Sequence, residues 1–191
     1  MPDQLHLAAL RSYYKRNHTL PSMARLREVF GLASTSSVFA LLGRLTERGY
    51  LRKVDGRLAP TVRFFERPLL GSVRAGVPQV ADQSAAEALT LDDYLIDEPN
   101  RTSLHRVRGD SMRDAGILEG DLVALEHQTT AQPGDIVVAV VDGELTVKIL
   151  RRMVDGRYFL EAANPEFAPI HPDQTLEILG VVVSVARRLK R

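Results

Sequence analysis

The sequence predicts an α+β protein in two parts: a winged helix-turn-helix in residues 1–66 and a mostly antiparallel β domain in residues 81–191. Three observations carry this prediction. Apolar residues recur at helical spacing as far as Gly49. Beyond it, short β-rich runs are separated by Asp-Gly dipeptides. The charge is divided as well. Residues 1–66 carry 11 Lys/Arg against 5 Asp/Glu, a net +6, whereas residues 75–191 carry 12 against 19, a net −7. A basic front half suits a polyanionic partner, although asymmetry of this kind does not establish one.

The first helix is expected over residues 4–16, with Leu5, Ala8, Ala9 and Tyr13 on its apolar face. In "LPSMARLREVFGL", Ser22 is placed to cap a second helix. Met23, Leu26, Val29 and Phe30 form its stripe, and Gly31 ends it. A short turn leads to "STSSVFALLGRLTERGYL", where Val38, Leu41, Leu42 and Leu45 keep helical spacing, Gly43 interrupts and Gly49 terminates. Two short helices about a tight turn make a helix-turn-helix, whose second helix offers its N-terminal residues to base edges. The small hydroxyl residues Ser34, Thr35, Ser36 and Ser37 are the expected contacts there, with Arg44 further along the helix.

In "YLRKVDGRLAPTVRFF", two β-rich segments flank Asp55-Gly56, a dipeptide suited to a tight hairpin. Such a hairpin after a recognition helix is a wing, with Arg52, Lys53, Arg57 and Arg63 as phosphate contacts. Three small helices and a hairpin also suit other interaction modules. The basic excess and the wing together favour double-stranded DNA.

The 191 residues, 45% hydrophobic, are enough for two small globular domains. The chain has no Cys, which excludes a disulfide scaffold and thiolate metal sites and fits a cytoplasmic protein. Its N-terminal segment has no long apolar run, and runs such as "DIVVAVV" are only strand-length, so no membrane partner is expected. No metal or organic cofactor is expected either.

Residues 67–80 take the place of a linker, yet "GSVRAGVPQV" is apolar, with Val73, Val77 and Val80 around Ala75-Gly76. An ordinary linker is polar. A plain hinge accounts for the glycine but not for the valines.

The strands expected in the back half are "SLHRVRG", "DLVALEH", "DIVVAVVDGELTVKIL", "GRYFLEA" and "LEILGVVVSVARRL". Asp142-Gly143 and Asp155-Gly156 mark hairpins, and a helical turn is expected near "DSMRDAGI". Ser111 falls where a strand ends and a turn begins, with successive backbone N–H groups available to an oxyanion. A serine at such a turn also serves as an ordinary N-cap. Lys148 has Val147, Ile149 and Leu150 as neighbours. A lysine held in an apolar sheet loses stabilisation of its charge and can act as a general base near neutrality. His105, His127 and His171 are rival bases, with no Asp or Glu spacing to single one out.

The segments "RAGVP" at 74–78, "RVRGDSMRDAGILEGDLVAL" at 106–125, "VDGELTVKIL" at 141–150 and "NPEFAPI" at 164–170 occur here in an order that resembles the LexA-type repressors. These are self-cleaving regulators of the bacterial DNA-damage (SOS) response. The resemblance spans essentially the whole chain. It implies a catalytic domain of the LexA/signal-peptidase-like fold, with Ser111 as nucleophile and Lys148 as general base. It also implies that Ala75-Gly76 is the scissile bond and that the backbone N–H groups of Ser111 and Asp110 form the oxyanion hole. The apolar linker is then a substrate that docks in the chain's own cleft. A homodimer through the C-terminal domain, an operator in double-stranded DNA, and a RecA filament on single-stranded DNA acting as co-protease are implied in the same way. Rival readings are a repressor with an inert peptidase fold and a polymerase-accessory autoprotease. The resemblance is weaker in the front half, where Phe39 and Ala40 stand at positions that carry polar, base-contacting residues in well-known members.

Overall fold

The computed structural model describes residues 2–70, 85–127 and 130–189. It contains two compact units, Met1–Leu91 and Asp92–Arg191. The division falls after Leu91, beyond the 67–80 segment where the sequence suggests a linker, because a strand on either side of residues 71–84 pairs with the other.

In the first unit, α1 (Pro2–Asn17), α2 (Met23–Phe30) and α3 (Thr35–Glu47) are followed by β1 (Leu51–Val54) and β2 (Arg57–Pro60). A helical turn, α4 (Val62–Phe65), replaces the second half of the expected β segment. The chain then enters β3 (Arg67–Leu70), which pairs antiparallel with β4 (Ala85–Leu89), so that Leu70 lies opposite Ala85.

Local chemistry explains most of these boundaries. The Ser22 hydroxyl accepts the Arg25 N–H at the start of α2, and Gly31, at φ 65°, closes it in the left-handed conformation. Asp55 and Gly56, at φ 49° and 75°, turn β1 into β2. Leu26, Phe30, Val38, Leu41, Leu42 and Leu45 are buried together with Leu51 and Phe64. Burying one such side chain stabilises the unit by about 2 kcal/mol.

Two expectations are corrected here. The buried residues of α1 are Asp3, Leu7 and Leu10, and Leu5 is 76% exposed. Apolar residues occur on several faces of α1, so periodicity alone did not fix its rotation; packing on Phe30 and α3 did. Gly43 does not interrupt α3, which runs unbroken from Thr35 to Glu47 with Leu41, Leu42 and Leu45 buried around it; that burial outweighs the roughly 1 kcal/mol cost of a glycine within a helix.

The second unit is a six-stranded antiparallel sheet. Its strands are β5 (Thr102–Arg106), β6 (Leu122–Glu126), β7 (Ile136–Val141), β8 (Glu144–Arg152), β9 (Tyr158–Glu161) and β10 (Leu176–Ala186), in the order β5-β6-β10-β7-β8-β9. Asp142 and Gly143, at φ 49° and 92°, turn β7 into β8. The Asp142 carboxylate also accepts the N–H groups of Asp173, Gln174 and Thr175 at 2.9–3.0 Å, which holds it below the usual carboxylate range. The connection at Asp155-Gly156 is longer than a two-residue turn, and the Met153 N–H closes it on the Arg157 carbonyl. Among the described residues, no single helix is long and apolar enough to cross a membrane.

Candidate functional site

Ser111 lies in the turn that follows β5, just before a 3-10 helix over Arg113–Ala115. Its neighbour Met112 is 2% exposed and packs with Val107, Ile117 and Val123, which anchors the turn to the sheet. A second anchor comes from Asn164, itself buried. Its amide donates to the Asp110 carbonyl at 3.2 Å, and its oxygen accepts from Arg113 and from the Glu166 N–H. The Arg113 N–H donates to the same Asp110 carbonyl at 3.0 Å. The peptide before the serine is therefore held through its carbonyl by two donors.

Lys148 reaches it from β8, paired opposite Val137 of β7. The period of two puts Thr146, Lys148 and Leu150 on one face of that strand. Lys148 is 6% exposed, and its Nζ donates to Ser111 Oγ at 2.8 Å, Thr146 Oγ1 at 3.0 Å and the Val147 carbonyl at 3.0 Å. No carboxylate pairs with it among the described residues, so burial pushes its pKa down from the ordinary lysine value. An uncharged amine keeps two N–H donors for Thr146 and Val147, and turns its lone pair toward the serine hydroxyl. The same contacts serve both protonation states.

Beside this pair is an open cleft of about 430 Å³, lined among others by His105, Val107, Gly109, Ser111, Leu145 and Val147. Its walls are mostly apolar, with Arg106, Arg108 and Thr146 also in the lining, and strand backbone flanks it, a shape suited to an extended peptide. The backbone N–H of Ser111 has no acceptor among the described residues. None of the three histidines hydrogen-bonds to Ser111 or Lys148 among the described residues, although His105 lines the cleft. His105 and His127 both bond to Ser103 Oγ, at 3.0 and 2.8 Å, and His171 stacks on Phe159. Among the described residues, no three His, Asp or Glu side chains converge on a possible metal position.

Sequence reasoning missed Thr146 and the way Asn164 is used. Thr146 was detectable, since it shares the strand face of Lys148 two residues away. Asn164 was not, because its contact with Asp110 joins segments 54 residues apart. Ala75 and Gly76 lie outside the described residues.

In the first unit, Ser34 caps α3. Its hydroxyl accepts the Ser37 N–H at 3.1 Å and lies 2.8 Å from Ser37 Oγ. Thr35 and Ser36 are exposed on the first turn, and Arg52, Lys53 and Arg57 are exposed on the β1–β2 hairpin. Arg44 is placed differently. It forms a two-pronged pair with the buried Asp3 of α1, at 3.1 and 2.9 Å, and Arg48 joins it at 3.3 Å. Arg63 sits in α4, with its guanidinium over the Tyr50 ring.

Comparison with known proteins agrees with both halves. Residues 68–183 match the Peptidase S24-like family. The chain is 38% identical to LexA repressor 1 of Nocardia farcinica, an alignment covering 96% of this chain and 90% of that protein. It is 41% identical to LexA repressor 2 of Pseudomonas putida over 88% and 87%, and 35% identical to the LexA repressor of Opitutus terrae over 95% and 94%. The chain belongs to the LexA repressor family. As a LexA-type chain it carries its likeness through both units, and the Peptidase S24-like part begins at β3 and takes in both Ser111 and Lys148. The occurrence of a LexA repressor 1 and a LexA repressor 2 among its relatives is consistent with its being a divergent paralogue.

Proposed function

We propose that the chain represses DNA-damage response genes by binding operator DNA as a dimer, and that it inactivates itself by cleaving its Ala75-Gly76 bond. The observation that carries this reading is the buried Lys148 amine on Ser111 Oγ, at the edge of a mostly apolar cleft. A repressor with no peptide chemistry has no need to bury a lysine against a serine.

In this reading residues 71–80 enter the cleft as an added strand, with Val73, Val77 and Val80 giving apolar contacts. The small residues at the bond let the backbone approach the nucleophile. Uncharged Lys148 takes the Ser111 proton as Oγ forms a bond to the Ala75 carbonyl carbon. The N–H groups of Ser111 and Asp110 receive the oxyanion. The Ala75–Gly76 C–N bond then breaks, and the new amine of Gly76 takes the proton from Lys148. Water, activated by the regenerated uncharged Lys148, hydrolyses the ester, and the proton returns to Ser111 Oγ, freeing the serine and leaving a carboxylate on Ala75.

The paired strands β3 and β4 bring the two ends of the 71–84 segment to one place, since Leu70 lies opposite Ala85. Binding relies on the exposed Thr35 and Ser36 near the bases and on Arg52, Lys53 and Arg57 at phosphates, while Ser34 and Ser37 hold the helix start. Arg44, engaged by Asp3, is left out of this set. Dimerisation through the C-terminal domain lets two readers grip two half-sites, and cleavage removes that linkage, which is worth about 10²–10⁴ in affinity. A RecA filament on single-stranded DNA acts as co-protease by favouring the docked segment and supplies no catalytic group.

The test is incubation of the full chain at pH 9–10, and separately at neutral pH with RecA, single-stranded DNA and a nucleotide analogue. Intact mass spectrometry is expected to find fragments 1–75 and 76–191 from the wild type and none from Ser111→Ala or Lys148→Ala. A chain that stays whole under both conditions while still binding DNA has an inert peptidase fold, and the self-cleavage reading falls.

A further inference from the structure

The recognition helix carries a feature that its core does not explain. Phe39 is 61% exposed on α3, while Val38, Leu41, Leu42 and Leu45 of the same helix are buried at 5% or less. Ala40 is exposed beside it, and a turn later Gly43 has open space where a side chain would stand. Ser36, Phe39, Ala40 and Gly43 follow the i, i+3, i+4, i+7 spacing of a single helical face, the one turned away from the core.

No group on this face can read a purine through two hydrogen bonds. Guanine is read by Arg or Lys and adenine by Asn or Gln. The only such residues in α3 and its C-cap are Arg44 and Arg48, and both guanidinium groups are held by the Asp3 carboxylate. That pairing raises the Arg44 pKa and lowers that of Asp3, each through the hydrogen bond between them, so the clamp persists at neutral pH. What the exposed face offers is apolar surface, bordered by the hydroxyls of Thr35 and Ser36 and accompanied by the cationic hairpin residues Arg52, Lys53 and Arg57. An apolar surface in a cationic setting suits one feature of the DNA major groove, the 5-methyl group of thymine.

We infer that Phe39 is a specificity-determining residue that packs on thymine methyl groups in the major groove of each half-site. The chain then discriminates at those positions by methyl contact in place of hydrogen bonding. The inference rests on the proposed role in DNA binding and goes beyond it by naming the chemistry that is read.

The experiment selects duplexes from a random-sequence pool with the full-length chain, then remakes the enriched duplex with deoxyuridine in place of each thymidine in turn. Uracil keeps every hydrogen-bonding group of thymine and lacks only the methyl. Loss of a buried methyl corresponds to about fourfold in affinity, so at least one position per half-site is expected to lose about that much with the wild type. Phe39→Ala is expected to bind the thymidine duplex more weakly and to show no further loss with deoxyuridine at that position. Because Phe39 is exposed, the variant is expected to unfold at the wild-type temperature, and Phe39→Leu is expected to retain part of the methyl preference. A wild type that enriches a motif yet tolerates deoxyuridine everywhere overturns the inference, as does a Phe39→Ala variant that still senses the methyl; both leave DNA binding intact. A pool from which no motif is enriched overturns the DNA-reading proposal itself, and this inference with it.

Discussion

Lys148 Nζ and Ser111 Oγ are 2.8 Å apart although 37 residues separate them in the chain, and the lysine reaches the serine with only 6% of its surface exposed. The two are brought together by a strand on one side and a pinned turn on the other. Thr146 and the Val147 carbonyl fix the amine, and Asn164 and Arg113 fix the peptide of Asp110.

The chemistry at this pair depends on the protonation of the amine. Burial lowers the Lys148 pKa below its ordinary 10.5, and only the uncharged form can take the serine proton. The self-cleavage rate is therefore expected to rise with pH and to level off above the pKa of Lys148. Lys148→Arg, whose guanidinium stays charged, is expected to lose roughly 10²–10⁴-fold in rate at every pH. Fragment formation followed by intact mass from pH 6 to 11 checks both; a flat wild-type profile removes Lys148 from the mechanism.

The same burial has a consequence for stability. A lysine whose pKa is lower in the folded state than in the unfolded one disfavours folding while it is charged. As pH rises between the folded and unfolded pKa values, the unfolded chain holds more protons and the folded state gains stability. Lys148→Met is expected to be more stable than the wild type at pH 7, with the gap narrowing toward pH 10.5. Urea unfolding of both proteins at neutral and alkaline pH measures it.

Asp121 shows the same downward pKa shift, but its charged form stabilises the fold at neutral pH. It is 1% exposed and accepts from Arg187 Nε and Nη2, both at 2.6 Å, and from the Leu118 N–H at 2.8 Å. The Arg187 bond, followed by the Leu118 N–H, holds its pKa below 3.8 despite the opposing effect of burial. The stability it contributes is present above pH 3.8 and is lost as pH falls through its folded pKa. Asp121→Asn is expected to lower the melting temperature clearly at pH 7 and by progressively less in acid, as scanning calorimetry at pH 7 and pH 3 can show.

Gly180 sits where β10 passes from β7 to β6, next to a register shift between Ile178 and Gly180. A methyl group there would overlap the Glu126 carbonyl oxygen and come within 2.9 Å of its carbon and 3.1 Å of Leu125 Cδ1. Backbone cannot yield as a flexible side chain does. Gly180→Ala is expected to cost about 1–3 kcal/mol in chemical denaturation.

Ser34 separates a structural role from a reading role. Its hydroxyl caps α3, so Ser34→Ala is expected to cost about 1 kcal/mol in the first unit and to speed amide hydrogen exchange in the first turn of that helix. Discrimination between base sequences is expected to be unchanged. A loss of discrimination with unaltered exchange would return Ser34 to the base-reading set.

Much of this protein could be read from neighbouring residues alone. The cap at Ser22, the stop at Gly31, the turns at Asp55-Gly56 and Asp142-Gly143 and the buried stripe of α3 all follow from backbone preferences and side-chain period. So does the placing of a lysine in an apolar strand. These are properties of a few consecutive residues, and they hold wherever the segment lies. The rotation of α1, the pairing of β3 with β4, the loss of Arg44 and Arg48 to Asp3, the exposure of Phe39 and the contact of Asn164 with Asp110 were decided by the tertiary structure. Each depends on which distant segment arrives opposite it, a matter of packing between elements on which local periodicity carries no information. For Ser111 and Lys148, the residue types were visible in the sequence, and the fold alone brought them within hydrogen-bonding distance.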